Sequence, residues 1–243
     1  MRPPPVVLIT GGSRGLGAAL AHRFGAGGYR VGVNYREHGA DADATARSIA
    51  AVGGEALPLV GDVRHPDEIR AVAQAVLDRW GRLDVFVHNA GVTRDRLVTR
   101  MRADDWDDVI ATHLTGAFHG LRAVAPAMTA AGGGQILMLL SVAGQQGRAG
   151  QANYAAAKAG LVGLIRSAAR EWGRDNVRVN GIIPGVVVTD MTRRLTPQAA
   201  AALYTGSVLG RGTSCAEVAE ISFALAATAN ISGQIFQLDS HLP

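Results

Sequence analysis

Thr10-Gly11-Gly12-Ser13-Arg14-Gly15-Leu16-Gly17 follows directly on the apolar run Val6-Val7-Leu8-Ile9 and leads into the helix-like Ala18–Gly25. The order strand, glycine turn, helix is what a phosphate-binding turn requires. Glycines serve where the backbone takes positive φ, where a pyrophosphate must approach the main chain, and where helix and strand pack closely. The spacing of Gly11, Gly15 and Gly17 meets those three needs, with Ser13, Arg14 and Leu16 lying between them. Such a turn also occurs as an ordinary strand–helix connection, so the rest of the chain has to decide.

Working outward, short runs rich in Val, Ile and Leu recur at Val6–Ile9, Arg30–Asn34, Ala56–Val60, Leu83–His88, Gln135–Leu140, Val177–Ile183 and Gln234–Leu238. These read as seven strands. Helical spacing fills the intervals, as in Pro66–Trp80, where Pro66 suits a first turn and Ile69, Val72, Ala73, Val76 and Leu77 form one stripe. Alternation of this kind predicts an α/β fold, a doubly wound parallel sheet with helices on both faces and ligands beyond the carboxyl ends of the strands. No linker, repeat or low-complexity tract divides residues 1–243, and one domain is expected.

Composition narrows the function. Cys215 is the sole cysteine, which excludes an internal disulfide and a cysteine-rich metal cluster. The seven histidines lack metal-ligand spacing, and no metal is expected. A formal charge of +4 is spread over scattered arginines and aromatic content is 5%, so a basic pocket for a phosphorylated cofactor is favoured over nucleic acid. No apolar run approaches the roughly 20 residues of a membrane span, and Met1–Pro5 lacks a secretory pattern, so a cytoplasmic protein is expected.

After the second strand, Asn34-Tyr35-Arg36 carries no acid for an NAD ribose, while Arg36 and Arg14 could converge on a 2′-phosphate. NADPH is favoured over NADH, although Glu37 follows Arg36. Two solvated surface arginines are the plainer alternative.

Tyr154 and Lys158 are four residues apart in a helix-like stretch, Ala152 to Trp172, and so share a face. Lys158 is the only lysine; the other 23 of the 24 Lys and Arg residues are arginines. A position needing only a solvated charge would more readily carry arginine in such a chain, whereas a compact ammonium can bond a ribose and lower a neighbouring phenol pKa. That would make Tyr154 a usable general acid. Ser141 lies 13 residues earlier, at the end of a predicted strand, where its hydroxyl can polarise a carbonyl or merely cap a turn.

Together these residues resemble the short-chain dehydrogenase/reductase family in its compact, Rossmann-type form, over nearly the entire chain. The resemblance implies that Asp62 and Val63 hold the adenine. It implies that His88-Asn89-Ala90-Gly91 supports the sheet and ribose, with Asn89, Ala90 and Gly91 at the cofactor. It also implies that Pro184, Gly185, Val187, Thr189 and Met191 hold the nicotinamide before a substrate lid. Within the family, the 184–192 segment and the Arg14 and Arg36 pair look most like 3-oxoacyl-[acyl-carrier-protein] reductases and polyketide ketoreductases. The implied reaction is NADPH-dependent reduction of a 3-oxoacyl thioester, possibly on an acyl carrier protein. Tyr154 would be the acid, Ser141 would hydrogen-bond the oxygen, and Lys158 would hold the ribose.

The sequence departs from that pattern in three places. His113 stands where the family has an asparagine that helps retain a relay water, so it is a candidate for that role or a packed core histidine. The C-terminus reads Gln237-Leu238-Asp239-Ser240-His241-Leu242-Pro243, unlike the family's usual ending. Arg174 is a candidate for carrier docking, but the Gly132–Gly134 loop lacks the basic residue such reductases often show. A reductase of a free ketone or sugar-like substrate, and a noncatalytic partner or cofactor sensor, remain as alternatives. The resemblance further implies a homotetramer or dimer built through alanine-rich helix faces at Leu121–Ala130 and Ala155–Ala169.

Overall fold

The computed structural model describes residues 3–187, 204–205 and 207–240. Seven parallel strands form one sheet in the order β3-β2-β1-β4-β5-β6-β7. They are β1 (Val6–Ile9), β2 (Arg30–Tyr35), β3 (Glu55–Val60), β4 (Val85–His88), β5 (Gly134–Leu139), β6 (Val177–Ile183) and β7 (Ile235–Gln237). All seven predicted runs are present, β1 and β6 at their expected bounds and the others with ends shifted by one or two residues.

The central strands β1, β4 and β5 are buried at every position and mostly apolar because both sheet faces are covered, and strand geometry divides their side chains between the faces. From β1, Val6 and Leu8 enter one core, with Phe86, Ile136, Met138 and Val179. Val7 and Ile9 enter the other, with Val87, Leu137 and Ile182. Helices α3 (Pro66–Trp80), α5 (Gly116–Ala130) and α7 (Ala152–Trp172) cover the first face through Ile69, Val72, Val76, Leu121, Met128, Leu161 and Ile165. Helices α1 (Gly15–Ala26), α2 (Gly39–Ala51) and α8 (Cys215–Ala226) cover the second through Leu20, Phe24, Ile49 and Val218.

α3 shows how local sequence sets a boundary. Pro66 opens it, Ile69, Val72, Ala73 and Val76 of the predicted stripe are buried with Leu77 partly so, and Gly81 closes it in the left-handed region at φ 72°. The short helices α4 (Ala103–Ile110) and α6 (Ala143–Gln146) are the other α-helices among the described residues, and a π turn at Ala111–Thr115 joins α4 to α5. π turns are rare and often adjoin functional sites. Among the described residues no helix is long and apolar enough to cross a membrane.

Candidate active site

The carboxyl ends of β1, β2, β4 and β5 open on one groove of ≈ 1270 Å³, lined by the glycine turn, Arg14, Arg36, Asp62, Asn89, Ser141, Tyr154, Lys158 and Gly185 among others. The turn is built to bring backbone close. Gly11 and Gly15 have φ of 62° and 56°, and a Cβ on Gly17 would lie 2.0 Å from the Gly11 carbonyl oxygen. Asn89 braces the turn by donating to the Thr10 and Gly11 carbonyls at 3.1 and 2.9 Å. The Thr10 hydroxyl in turn accepts the amides of Asn89 and Ala90 at 3.1 and 3.2 Å. The first turn of α1 carries no acid and no side-chain cap, leaving amides to face an anion. These residues fit a dinucleotide, because Gly11, Gly15 and Gly17 line the groove and the uncapped start of α1 presents backbone amides there.

At the ribose end, Asn34 is consumed structurally. It is buried, and its amide donates to the carbonyls of Leu59 and Gly61 at 3.2 and 2.9 Å. Arg36 pairs with Glu37 at 2.7 Å, so the acid noted in the sequence engages the cation expected to meet a phosphate. Tyr35 and His38 also line this end and were not singled out from sequence; their positions at the end of β2 and just beyond it were the available signal. Burial works to raise the Asp62 carboxyl, but hydrogen bonds and charge from Arg64, with Arg36 beyond, hold it below its ordinary value.

The three candidate catalytic side chains meet in the same groove. Ser141 follows β5, its Oγ accepts the Ala143 amide at 3.2 Å, and it lines the same groove as Tyr154. Burial pushes the Tyr154 phenol up, Ser141 works against this, and Asp95 adds to it. The lowering expected from Lys158 is therefore not what this arrangement produces: the ammonium lies 5.6 Å from the ring centroid and donates to the Leu139 carbonyl at 2.5 Å. Lys158 itself is 4% exposed, and burial lowers its pKa from 10.5 to about 7. Asp95, which also accepts Gln151 at 2.9 Å, was missed from sequence because nothing in its spacing connects it to Tyr154.

Two buried histidines lie beneath this cluster. His88 Nε2 is 3.1 Å from the His113 carbonyl and Nδ1 is 3.4 Å from the Thr10 hydroxyl; burial takes its pKa down to about 3. His113 sits in the π turn with its ring edge-on to Tyr154, centroids 5.0 Å apart. Burial, then the Lys158 charge, hold it well below 6.5 against the opposing Val92 bond, so both rings are neutral at pH 7. Nε2 of His113 is 2.8 Å from the Val92 carbonyl and 3.1 Å from its amide. One tautomer satisfies only one of these, and the shorter contact assigns the hydrogen to Nε2.

Gly91 makes room for that ring, since a Cβ there would fall 2.4 Å from His113 Cε1. Gly91→Ala is expected to destabilise the protein by about 1–3 kcal/mol through overpacking. Adding His113→Ala should recover most of that loss in urea unfolding, and equal instability of the single and double variants would show that the clash lies elsewhere.

Of the remaining expected cofactor contacts, Pro184, Gly185 and Val187 line the groove, with Gly185 at φ 72°. Thr189 and Met191 lie outside the described residues. Among the described residues no group of three or more His, Cys, Asp or Glu could hold a metal.

A family model described as short chain dehydrogenase matches residues 5–200. A 3-oxoacyl-[acyl-carrier-protein] reductase of Synechocystis sp. is 40% identical over 234 residues, covering 96% of this chain and 95% of that one. The 3-oxoacyl-[acyl-carrier-protein] reductase FabG of Staphylococcus aureus is 40% identical, covering 87% and 86%. That of Staphylococcus epidermidis is 41% identical, covering 78% of each.

Proposed function

From the premise that this chain belongs to the short-chain dehydrogenase family, and is thus an oxidoreductase of CH–OH and C=O groups working with a nicotinamide cofactor, we propose an NADPH-dependent 3-oxoacyl thioester reductase. Residues 1–243 act in this reading as one dinucleotide-binding and catalytic domain. One observation carries it: Ser141, Tyr154 and Lys158 share the groove that the glycine turn opens. The names and coverage of the relatives support the acyl substrate.

The glycine turn, Arg14 and Arg36 would hold NADPH, which would supply a hydride to the carbonyl carbon. Tyr154 donates its phenolic proton to the substrate oxygen, and Ser141 hydrogen-bonds the same oxygen as charge develops. The raised phenol pKa keeps Tyr154 protonated at neutral pH, which is the form a reduction needs. Lys158 would hold the ribose with the N–H groups that the Leu139 carbonyl does not take. His113, neutral and held by Val92, orients the Tyr154 ring in this account and carries no charge of its own. Purified protein, NADPH and a 3-oxoacyl thioester test the reading by loss of NADPH absorbance. Turnover of free ketones but not thioesters would favour the small-ketone alternative, and binding without turnover of either would favour a sensor.

The choice of NADPH rests on Arg14 and Arg36, with Asn34 already engaged. Arg36→Ala is expected to raise KM for NADPH about tenfold, the size of a lost charge-assisted hydrogen bond. KM for NADH should hardly change, and a wild-type preference for NADH would overturn the assignment. The acyl carrier protein is the proposed partner. Assembly as a homotetramer or dimer belongs to the same reading, because Trp106 on α4 and Phe118 on α5 remain 40% and 44% exposed. Light scattering reads that state directly, and a monomer would refute it.

A further inference from the structure

A line of charged and amide side chains, some lining the groove and some packed behind it, runs from its adenine end to its catalytic end. Arg64 grips Asp62 through Nε and NH2, at 2.9 and 2.6 Å from Oδ2, and donates from NH1 to Asp108 on α4 at 2.7 Å. The second Asp108 oxygen takes Arg94 at 2.8 Å. Arg94 belongs to the loop that follows Gly91, and its carbonyl accepts one Asn153 Nδ2 hydrogen at 3.1 Å. The other goes to the Asp105 carbonyl at 2.8 Å, while Asn153 Oδ1 accepts the Tyr154 amide at 2.8 Å.

The links at Asp62, Asp108 and Asn153 are more sheltered than an ordinary surface pair, while Arg94, 45% exposed, is the most open member of the line. Asn153 is fully buried, and the side chains of Asp62 and Asp108 are only 9% and 17% exposed. Arg64 spends its planar fork on two acids at once, a geometry lysine cannot reproduce. Without that guanidinium the two carboxylates would face each other's charge, so its removal disturbs both ends of the line. Arg64 is not among the residues lining the groove, and whatever it does there is done through Asp62 and Asp108.

We propose that Arg64 is a positioning residue that fixes the adenine-side acid Asp62 and, through Asp108, Arg94 and Asn153, the backbone of Tyr154. The inference rests on reading the groove as the NADPH site. It assigns Arg64 a double duty: nucleotide affinity at one end and the placement of the proton donor at the other.

Amide hydrogen exchange on the unliganded protein, with binding of adenosine 2′,5′-bisphosphate and steady-state kinetics, tests it. Arg64→Ala should speed exchange at residues 92–96 and at Tyr154 by about tenfold, because local opening becomes easier. It should also weaken adenosine 2′,5′-bisphosphate binding about fivefold. Asp108→Asn leaves the Arg64–Asp62 grip intact and should lower kcat about threefold with nucleotide affinity unchanged. The double variant should be no worse in kcat than Arg64→Ala alone, since both cut one line. Arg64→Lys, which keeps the charge but loses the fork, should fall between Arg64→Ala and wild type.

Unchanged exchange at Tyr154 in Arg64→Ala, or additive kcat losses in the double variant, would overturn the proposal. Failure of the wild-type protein to bind adenosine 2′,5′-bisphosphate would instead strike at the nucleotide reading. The exchange comparison would still decide the link from Arg64 to Tyr154.

Discussion

Tyr154→Phe is expected to lower kcat for thioester reduction by about 10³-fold while leaving NADPH binding nearly intact. The substitution deletes one oxygen. The ring keeps its edge-on packing against His113, and the backbone amide keeps its bond to Asn153. What goes is the proton donor and one of the two hydroxyls facing the developing oxyanion, with Ser141 remaining alone. Folding should change by about 1 kcal/mol or less, the net worth of one neutral hydrogen bond. Titration of NADPH fluorescence and single-turnover kinetics separate the binding and chemical terms. Retention of more than about a tenth of wild-type kcat would mean that the proton comes from another group.

The same phenol sets the alkaline limb of the reaction. A general acid must be protonated, and burial raises Tyr154 above the ordinary phenol value in the unliganded enzyme. Loss of the phenolic proton should therefore limit reduction only as pH rises through that raised pKa, while Lys158, brought to about 7 by burial, adds an earlier step near neutral pH in the unliganded enzyme. His88 and His113, held far below 6.5 by burial, contribute no neutral-pH inflection of their own.

The fold was readable because period and punctuation agree. Apolar strand runs of four to seven residues alternate with helical stripes, and Pro66 and Gly81 mark both ends of α3. The glycine turn was equally plain, since the need of Gly17 for a missing Cβ is written in its residue type. Other parts depend on contacts between residues distant in sequence. Nothing near Arg64 announces Asp108, 44 residues away, and nothing in Gly91 announces the His113 ring that fills its space. The effect of Lys158 on Tyr154 was also illegible, because spacing places both on one helix face but does not reveal how deeply each is buried. Burial reverses the expected direction for the phenol and weakens the ammonium as well.

That burial leads to an expectation that separates function from stability. Lys158→Met should lower kcat by about 10³-fold and yet raise the melting temperature of the unliganded protein. In the unfolded chain the ammonium has its ordinary pKa of 10.5, whereas in the folded protein burial brings it to about 7. Between those values the unfolded chain holds a proton that the folded one has released. Stability therefore rises with pH across that window, and the full cost of burying the charge is felt below it. At pH 7 the cost is on the order of 4 kcal/mol. Methionine removes it and fills similar volume, but leaves the Leu139 carbonyl without its 2.5 Å donor. That loss offsets about 1–3 kcal/mol. The remainder corresponds to a gain of about 5 °C for a chain of this size. Melting curves at pH 7 and 9 provide an internal control, because every other titrating group is common to both proteins. Wild type should gain stability over that interval relative to Lys158→Met. A variant that melts lower, with the same pH slope as wild type, would mean that the Lys158 ammonium is well solvated in the fold. The opposite result would explain the chain's single lysine as a charge kept at a cost in stability for the sake of the reaction.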